Sequence, residues 1–290
     1  MTDTHSLRIL EPAPGVFAYY DGRVPGVRLH AAAENWLDDG AYTLGIASYA
    51  IVGDGEAVVF DSHISLDHAR AVRRHLEGLG VVRFTLVLSH WHDDHVAGNA
   101  VFADGPILAH RLTHDALIAN RDKLESGAPP IRPLVLPTDT IDDGRVFTVG
   151  GRSVEAMHFA IHSADGVVLW LPEAGVLLAG DVAEDTITYI SEPEHTATHI
   201  VELARLADLP VERILPAHGA PDRIAAGGYD IGLIAANRAY LQRLLVGEGR
   251  DGVPLAAFVA DDVAAGRIGY FPPYEAVHRA NLKALAAAGL

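Results

Sequence analysis

The chain has 290 residues, of which 49% are hydrophobic, and this is enough apolar material for the buried core of a globular protein. Acidic residues outnumber basic ones by 38 to 22, and the net charge of -16 argues against nucleic acid and anionic membranes as partners. The absence of cysteine excludes disulfides, thiolate metal ligands and cysteine nucleophiles. We find no run long enough to span a membrane and no signal-peptide pattern, and we therefore expect a soluble, cytoplasmic protein.

Short apolar runs and turn residues predict the elements in the first third of the chain. Residues 48–52 and 57–60 are typical of the two strands of a β-hairpin. Apolar residues then recur at helical spacing between Ser65, a suitable N-cap, and Gly80, which predicts a helix with one buried face. Residues 84–88 form an apolar run typical of a strand that is covered on both faces.

The rest of the chain predicts strand pairs that alternate with helices. The predicted strands are 106–110, 145–149, 153–159, 167–171, 176–179 and 213–215. The predicted helices are 112–124 and 200–207, followed near the C-terminus by 231–245, 255–265 and 274–288. Such alternation indicates two packed sheets with helices on their outer faces.

We see no repeat and no linker rich enough in Pro, Gly or Ser to divide the chain with certainty. We expect one domain over residues 1–228, in which residues 1–44 form a lid or an edge segment. Residues 229–290 are expected to form a helical extension packed on the same domain. Apolar faces on its helices could also support a homodimer.

The stretch SHWHDDH, residues 89–95, concentrates histidine and aspartate directly after the predicted strand 84–88. In this HxHxDH pattern, His90 and His92 can face one ion, while Asp94 and His95 can reach a second one. Imidazole and carboxylate are suitable donors for zinc, iron or manganese. A solvated turn would be served equally well by Lys, Glu, Gly or Asn, so the composition indicates a metal site.

The run HWHDDHVAGN resembles the signature of the metallo-β-lactamase superfamily, and further matches follow in the order of that family. His162 matches its third histidine, Asp181 in LAGD matches its bridging carboxylate, and His218 in LPAHG matches its last histidine. The resemblance covers residues 45–219. It implies an α/β fold of the α+β kind, the four-layer αββα sandwich, with the site along one edge of the two sheets.

The resemblance also implies a site for two divalent metal ions, zinc in the first place, with iron or manganese as alternatives. The implied ligands of one ion are His90, His92 and His162. The implied ligands of the other are Asp94, His95 and His218, and Asp181 bridges the two. Asp94 is the candidate catalytic residue, because it could orient a metal-bridging hydroxide and take its proton.

One of these assignments has a neighbouring competitor, and one further residue is expected to support the site. His158 competes with His162, since the usual Gly-His-Thr-Pro-Gly of the family is here Ile-His-Ser-Ala-Asp. We favour His162 because Ser163 and the predicted strand 167–171 follow in the expected order. Asp61, after the predicted hairpin, is expected to cap a turn or to orient a ligand histidine.

The predicted function is a metal-dependent hydrolase that cleaves an ester, lactone, thioester or amide-type bond in a small molecule. In the resemblance, Asp181 stands where zinc β-lactamases usually carry Cys or Ser, which disfavours a dedicated β-lactamase. Glu184 stands where acyl-homoserine lactonases tend to carry Tyr. Lactonase or β-lactamase-like activity therefore stays open only as a side reaction.

Two other classes remain as alternatives. A mononuclear iron oxidoreductase of the persulfide dioxygenase type keeps a similar motif, and the identity of the bound metal separates it from a hydrolase. A non-catalytic binding protein would have lost ligands, whereas all seven positions are filled here.

Substrate choice is expected to depend on segments outside the resemblance. Candidates for a lid over the site are residues 24–42, the proline-rich loop 127–137 and the C-terminal region around residues 270–274. Aromatic residues that could line a pocket are Trp36, Trp91, Tyr189, Tyr270, Phe271 and Tyr274, although aromatic side chains are first of all core material.

Overall fold

The computed structural model describes residues 4–142, 144–249 and 252–290, and within them the chain forms two β-sheets. The strands of the first sheet, in spatial order, are β1 (Arg8–Ala13), β2 (Val16–Asp21), β3 (Ile46–Gly53), β4 (Glu56–Phe60), β5 (Arg83–Val87), β6 (Ile107–His110) and β7 (Asp139–Ile141). The strands of the second sheet are β8 (Arg145–Val149), β9 (Arg152–His158), β10 (Val167–Leu171), β11 (Val176–Gly180) and β12 (Arg213–Pro216), and strands that are consecutive in the chain are neighbours in this sheet. Strands β4 to β7 run parallel to one another, as do β11 and β12.

Helices lie between and after these strands. They are α1 (Leu66–Gly78), α2 (Asp93–Val96), α3 (Arg111–Ala119), α4 (Arg121–Ser126), α5 (Thr196–Leu206), α6 (Pro221–Ala225), α7 (Gly232–Leu245), α8 (Leu255–Phe258), α9 (Ala260–Ala264) and α10 (Tyr274–Ala287). A π-helical turn covers Asp38–Thr43, and short 3₁₀ turns cover Asn99–Phe102, Pro172–Ala174 and Pro193–His195. Among the described residues, no helix is long and apolar enough to cross a membrane.

Strand β4 has buried apolar side chains on both of its faces. Val58 and Phe60 point into the core between the sheets, while Ala57 and Val59 point to the opposite face, as the period of two in a strand requires. The opposite face packs against α1 and its neighbours. The predicted four-layer α/β sandwich with a helical C-terminal region is confirmed.

Helix α1 begins and ends where the sequence predicts. The hydroxyl of Ser65 accepts a hydrogen bond from the backbone N–H of His68, which satisfies one of the unpaired donors of the first turn. Its apolar face, which includes Ala69, Val72 and Leu76, is buried. The chain leaves the helix through Gly80, whose φ of +86° favours glycine.

Several elements differ from the sequence prediction. Strands β1 and β2 are an unpredicted hairpin in the N-terminal segment, and β1 is an edge strand of the first sheet. The predicted helix 112–124 is two helices that meet at Asn120, whose side-chain amide donates to Ala116 O at 2.9 Å. Asparagine favours such local bonds over a continuing helix. The predicted helix 255–265 is likewise interrupted, at Val259.

The C-terminal helices share the core of the second sheet. Leu233 and Leu241 of α7 and Leu285 of α10 belong to the same apolar cluster as the strands β10 and β11. The division at residue 228 remains a prediction.

Candidate metal centre

The predicted ligands leave the ends of strands at one edge of the sandwich. His90, His92, Asp94 and His95 follow β5, and α2 carries the last two of them. Asp181 follows β11, His218 follows β12, and His162 lies in the connection from β9 to β10. Rigid strands therefore position short loops whose side chains meet.

The first group of donors brings three imidazoles together. His92 Nδ1 lies 2.9 Å from His90 Nε2 and 3.1 Å from His162 Nε2. The rings of His90 and His162 are 5.0 Å apart between centroids and nearly perpendicular. These nitrogens form one compact set that could hold a metal ion.

A second group lies beside the first one. Asp94 Oδ1 is 3.5 Å from His95 Nε2, and Asp94 Oδ2 is 3.3 Å from His218 Nε2. Asp94 keeps some exposure to the cavity above it, whereas His95 and His218 are buried. Imidazole and carboxylate donors in this arrangement could hold a second ion.

Asp181 lies at the centre of both groups. Its Oδ2 atom is 3.3 Å from His95 Nε2 and 3.4 Å from His218 Nε2. The same oxygen is 3.6 Å from His162 Nε2 and 3.7 Å from His90 Nε2. One carboxylate is therefore within reach of donors from both sets.

The opposite nitrogens of the rings are held by the protein. His95 Nδ1 lies 2.8 Å from Asp61 Oδ2, and His218 Nδ1 donates to Gly45 O at 2.6 Å. His90 Nδ1 lies 2.9 Å from the hydroxyl of Ser89, which in turn donates to Asp61 at 2.7 Å. These contacts fix the ring orientations and direct each Nε2 toward the centre, as is usual around bound metals. The expected orienting role of Asp61 agrees with this placement.

Unpaired buried atoms show that the set fits a cation. Among the described residues, His95 Nε2 and Asp181 Oδ1 are buried without a hydrogen-bond partner. Buried polar atoms of folded proteins nearly always have a partner, so an unpaired imidazole nitrogen and an unpaired carboxylate oxygen in one cluster indicate a ligand site. The donor chemistry suits divalent zinc, iron or manganese.

The charges of the site do not follow the two groups, since Glu184 and Asp181 outweigh burial and raise the pKa of His162, whereas the other two histidines of its group have lowered pKa values. Burial and neighbouring imidazoles lower the pKa of His90 well below its ordinary value, and burial with His162 lowers the pKa of His92 to about 3. Burial also opposes protonation of His95 and His218, but the carboxylates of Asp181 and Asp94 outweigh it and raise both pKa values. His90 and His92 are thus neutral, which is the form that binds a metal.

The two candidate histidines of the 158–162 region have different surroundings. His162 lies in the cluster, whereas His158 stacks on His110 with centroids 4.1 Å apart and has Nε2 2.8 Å from Ala164 O. The turn that presents His162 gives this residue a φ of +64°. The structure therefore brings His162, and not His158, to the other donors.

Glu184 is a site residue that the sequence analysis considered only as a departure from lactonases. Its buried carboxylate lies 3.3 Å from His162 Nδ1 and accepts hydrogen bonds from the Thr188 hydroxyl and from Tyr189 N. The only signal in the sequence was its position three residues after Asp181. Its side chain is placed to hold the imidazole of His162 from behind.

A cavity of about 430 Å³ opens above the cluster. Of the predicted pocket aromatics, Trp36, Trp91 and Tyr189 line it. Gly40 also lines it, and a Cβ there would lie 2.9 Å from Asp94 Cβ, so the N-terminal segment closely approaches the site. Trp36, Asp39 and Gly40 of the segment 24–42 therefore line the cavity, and the lid role of this segment stays a prediction.

The other two lid candidates lie differently. The proline-rich loop contacts the wall through Pro129 O, which accepts a hydrogen bond from Trp36 Nε1 at 2.9 Å. Tyr270, Phe271 and Tyr274 do not line this cavity. Tyr274 is buried, and Phe271 packs under the guanidinium of Arg23, because the C-terminal helices cover the second sheet instead.

Relatives by sequence match the middle of the chain. A family model described as the metallo-beta-lactamase superfamily matches residues 41–218. The lactamase-like protein vrtG of Penicillium aethiopicum is 31% identical over 139 residues, which cover 47% of this chain and 38% of that protein. The atrochrysone carboxyl ACP thioesterase nsrC of Aspergillus novofumigatus is 28% identical over 183 residues, which cover 62% and 51% of the two chains. The chain thus spans about half or less of the length of these curated relatives.

Solved structures match a larger part of this chain than the relatives found by sequence do. A metallo-beta-lactamase from Pontibacter korlensis superposes with a TM-score of 0.63 at 19% identity, covering 81% of this chain and 99% of that one. At this identity the likeness establishes the fold. Since the family model spans more than half of the residues and includes every predicted ligand, the protein belongs to the metallo-beta-lactamase superfamily.

Proposed function

We propose that the protein is a hydrolase that holds two divalent metal ions, zinc in the first place, and cleaves an ester, lactone, thioester or amide-type bond in a small molecule. The observation that carries this proposal is the position of Asp181 Oδ2, within 3.7 Å of the Nε2 atoms of four histidines drawn from both donor groups. A shared carboxylate between two sets of ligands suits a pair of metals better than a single one. In this proposal His90, His92 and His162 bind one ion, and Asp94, His95 and His218 bind the other.

Two divalent ions bound here would polarise a carbonyl oxygen and lower the pKa of water from about 15.7 toward about 7. The candidate for the accompanying proton transfer is Asp94, as the sequence indicates. Burial opposes its ionisation, but His95 and His218 outweigh burial and lower its pKa, so the carboxylate is an ionised hydrogen-bond acceptor and a weak base. Since its carboxylate also faces the cavity, it can accept a hydrogen bond from a water molecule, orient it and take its proton.

Two further observations support an acyl-type substrate. The relative nsrC is named a thioesterase, and thioester cleavage needs the same nucleophile and the same polarised carbonyl as ester cleavage. The cavity is of the size that small-molecule sites have. We therefore place esters and thioesters first among the substrates to be tested.

The test is metal content per chain, measured by mass spectrometry on protein purified without added metal. Wild type is compared with Asp181→Asn, and His158→Gln serves as the control, because His158 lies outside the cluster. We expect about two zinc ions per chain in wild type and in the control, and fewer in Asp181→Asn. Hydrolysis of a panel of esters, lactones, thioesters, phosphodiesters and β-lactams is measured on the same preparations.

Two results would contradict the proposal. One iron ion per chain that is unaffected by Asp181→Asn would indicate a mononuclear iron oxidoreductase, to be followed by oxygen-consumption assays. Two zinc ions without hydrolysis of any member of the panel would remove the proposed reaction and leave only the metal site.

A further inference from the structure

Tryptophan is concentrated at the mouth of the metal centre. The chain contains three tryptophans, and two of them, Trp36 and Trp91, line the cavity above the cluster. Both are half-buried and pack against the apolar cluster that contains α1 and β5, so each ring has one part in the core and another at the cavity. Leu44 and Tyr189 extend the apolar wall.

The two rings are held in place before any substrate arrives. Trp36 is fixed by the hydrogen bond from its Nε1 atom to Pro129 O. Trp91 contacts the ring of His92 edge to face, with centroids 4.9 Å apart. A rigid aromatic wall binds a flat ring at low entropic cost, and offset or edge-to-face contacts between rings add to the area that is buried.

Lys123 gives the same wall one positive charge. The chain has two lysines, and the ammonium of Lys123 lies 5.4 Å from the centroid of the Trp91 ring, within cation–π distance. Within the part of the chain that the structure describes, no carboxylate lies within the 4.0 Å ion-pair distance of this ammonium, and no other Lys or Arg lines the cavity. The rim therefore holds one cation without a direct ion-pair partner, which an anionic ligand could approach beside the Asp93 carboxylate.

The contacts of Trp91 with His92 and Lys123 indicate how a ligand would be oriented in the cavity. Trp91 contacts His92, a proposed metal ligand, and Lys123 as well. A molecule whose ring lies along Trp91 can therefore place its reactive carbonyl at the metal centre and a charged substituent at the ammonium. Asp39 and Asp93 also line the cavity, and the charge of Lys123 acts on the Asp93 carboxylate, so a ligand anion at the ammonium competes with Asp93, while an anion beside Asp39 would be repelled.

We infer that the substrate is an aromatic ester or thioester that carries an anionic group on the side of the ring away from the scissile bond. This inference rests on the proposed hydrolase function. Lys123 acts in it as a specificity residue, and Trp36 and Trp91 form the aryl-binding wall.

The test uses the metal-loaded enzyme and three N-acetylcysteamine thioesters that differ in one feature each. Their acyl groups are 4-carboxybenzoyl, which is aromatic and anionic, 4-carbamoylbenzoyl, which is aromatic and neutral, and 4-carboxycyclohexanecarbonyl, which is anionic but not aromatic. We expect the lowest KM for the first one. Lys123→Met should raise that KM about tenfold, as the loss of a hydrogen bond to a charged group predicts. The kcat for the same thioester and the KM for the neutral thioester should stay within about twofold of wild type.

Matched variants separate the two parts of the inference. Lys283→Met removes the other lysine, on the exposed side of α10, and should change none of the constants. Trp36→Leu should remove the preference for the benzoyl over the cyclohexyl thioester, and Trp91→Leu should do the same. If either of these variants fails to fold, the other one provides the result.

A binding measurement separates this inference from the proposed reaction. The ketones 4-acetylbenzoate and 4-acetylbenzamide cannot be hydrolysed, and their binding is followed by quenching of tryptophan fluorescence. If no thioester is cleaved but Lys123→Met weakens the binding of 4-acetylbenzoate alone, the hydrolase proposal fails and the assignment of the aryl and anion sites stands. Equal KM values for the benzoyl and cyclohexyl thioesters, or 4-acetylbenzoate binding that depends on Asp181 and not on Lys123, would overturn the inference.

Discussion

The carboxylate of Glu184 is placed to decide which nitrogen of His162 carries the proton. It lies 3.3 Å from His162 Nδ1, while His162 Nε2 points to His92 and Asp181. A carboxylate behind a histidine holds the proton on Nδ1 and makes Nε2 the better donor to a metal. We therefore expect Glu184 to position the His162 ring, and metal affinity is the property that reports on this role.

We expect Glu184→Gln to weaken metal binding about 10- to 100-fold, because an amide oxygen holds the imidazole less strongly than a carboxylate does. The measurement is competition with a chromogenic zinc chelator, which requires no turnover. Glu194→Gln, at an exposed position of the same region, is the control and should bind as wild type does. Unchanged affinity in Glu184→Gln would show that Glu184 has no role in orienting His162.

The C-terminal helices act on the site through the loop that follows β11. Asn237 of α7 donates from Nδ2 to Glu184 O at 2.9 Å, and its Oδ1 accepts from Glu184 N at 3.3 Å. Asn281 of α10 donates to Thr188 O and accepts from Ile190 N. Both asparagines are buried, so two helices hold the loop that carries Glu184 and Tyr189.

Replacing Asn281 with leucine should lower the free energy of unfolding by about 2–4 kcal/mol, since Ile190 N and Thr188 O lose their partners while buried. Urea unfolding measures this change, and hydrogen exchange should show faster exchange of the Ile190 amide. Lys283→Leu, on the exposed side of the same helix, should stay within about 0.5 kcal/mol of wild type. A similar loss in both variants would mean that α10 has only a general packing role.

The stability of the whole molecule should depend on buried neutral histidines. Burial lowers the pKa of His199 from 6.5 to about 4, with smaller contributions from His162 and His195. Burial and His68 lower the pKa of His63 from 6.5 to about 3. Below pH 6.5, such a histidine becomes protonated in the unfolded chain while it is still neutral in the folded protein. Its contribution therefore destabilises the fold as the pH falls from 6.5 toward the lowered pKa.

We therefore expect the free energy of unfolding of the metal-free protein to decrease between pH 6.5 and pH 4, by up to about 1.4 kcal/mol per pH unit for each such histidine. His199→Gln should reduce the slope by one such contribution, whereas His30→Gln at an exposed position should leave it unchanged. Urea unfolding at several pH values provides the measurement. A slope that is the same in His199→Gln and in wild type would assign the acid sensitivity to other groups.

Some predictions from the sequence succeeded because the information is local. Ser65 and the apolar spacing after it are enough to define α1, since capping and helical period involve residues close in the chain. Strands β1 and β2 were missed because their role depends on pairing with β3, about 30 positions after β2, and not on a pattern within the run Val16–Tyr20.

The sequence by itself determined the superfamily, the two-sheet architecture and the identity of the clustered donors, because the HxHxDH motif and its downstream matches keep their order and spacing along the chain. Only the tertiary structure decided between His158 and His162, placed Glu184 behind the chosen ring, and brought Trp36 and Lys123 to one cavity. These features bring together residues that are far apart in sequence, or they depend on the direction in which a single side chain points. Such contacts arise from the packing of sheets, helices and loops, and local patterns carry no signal of them.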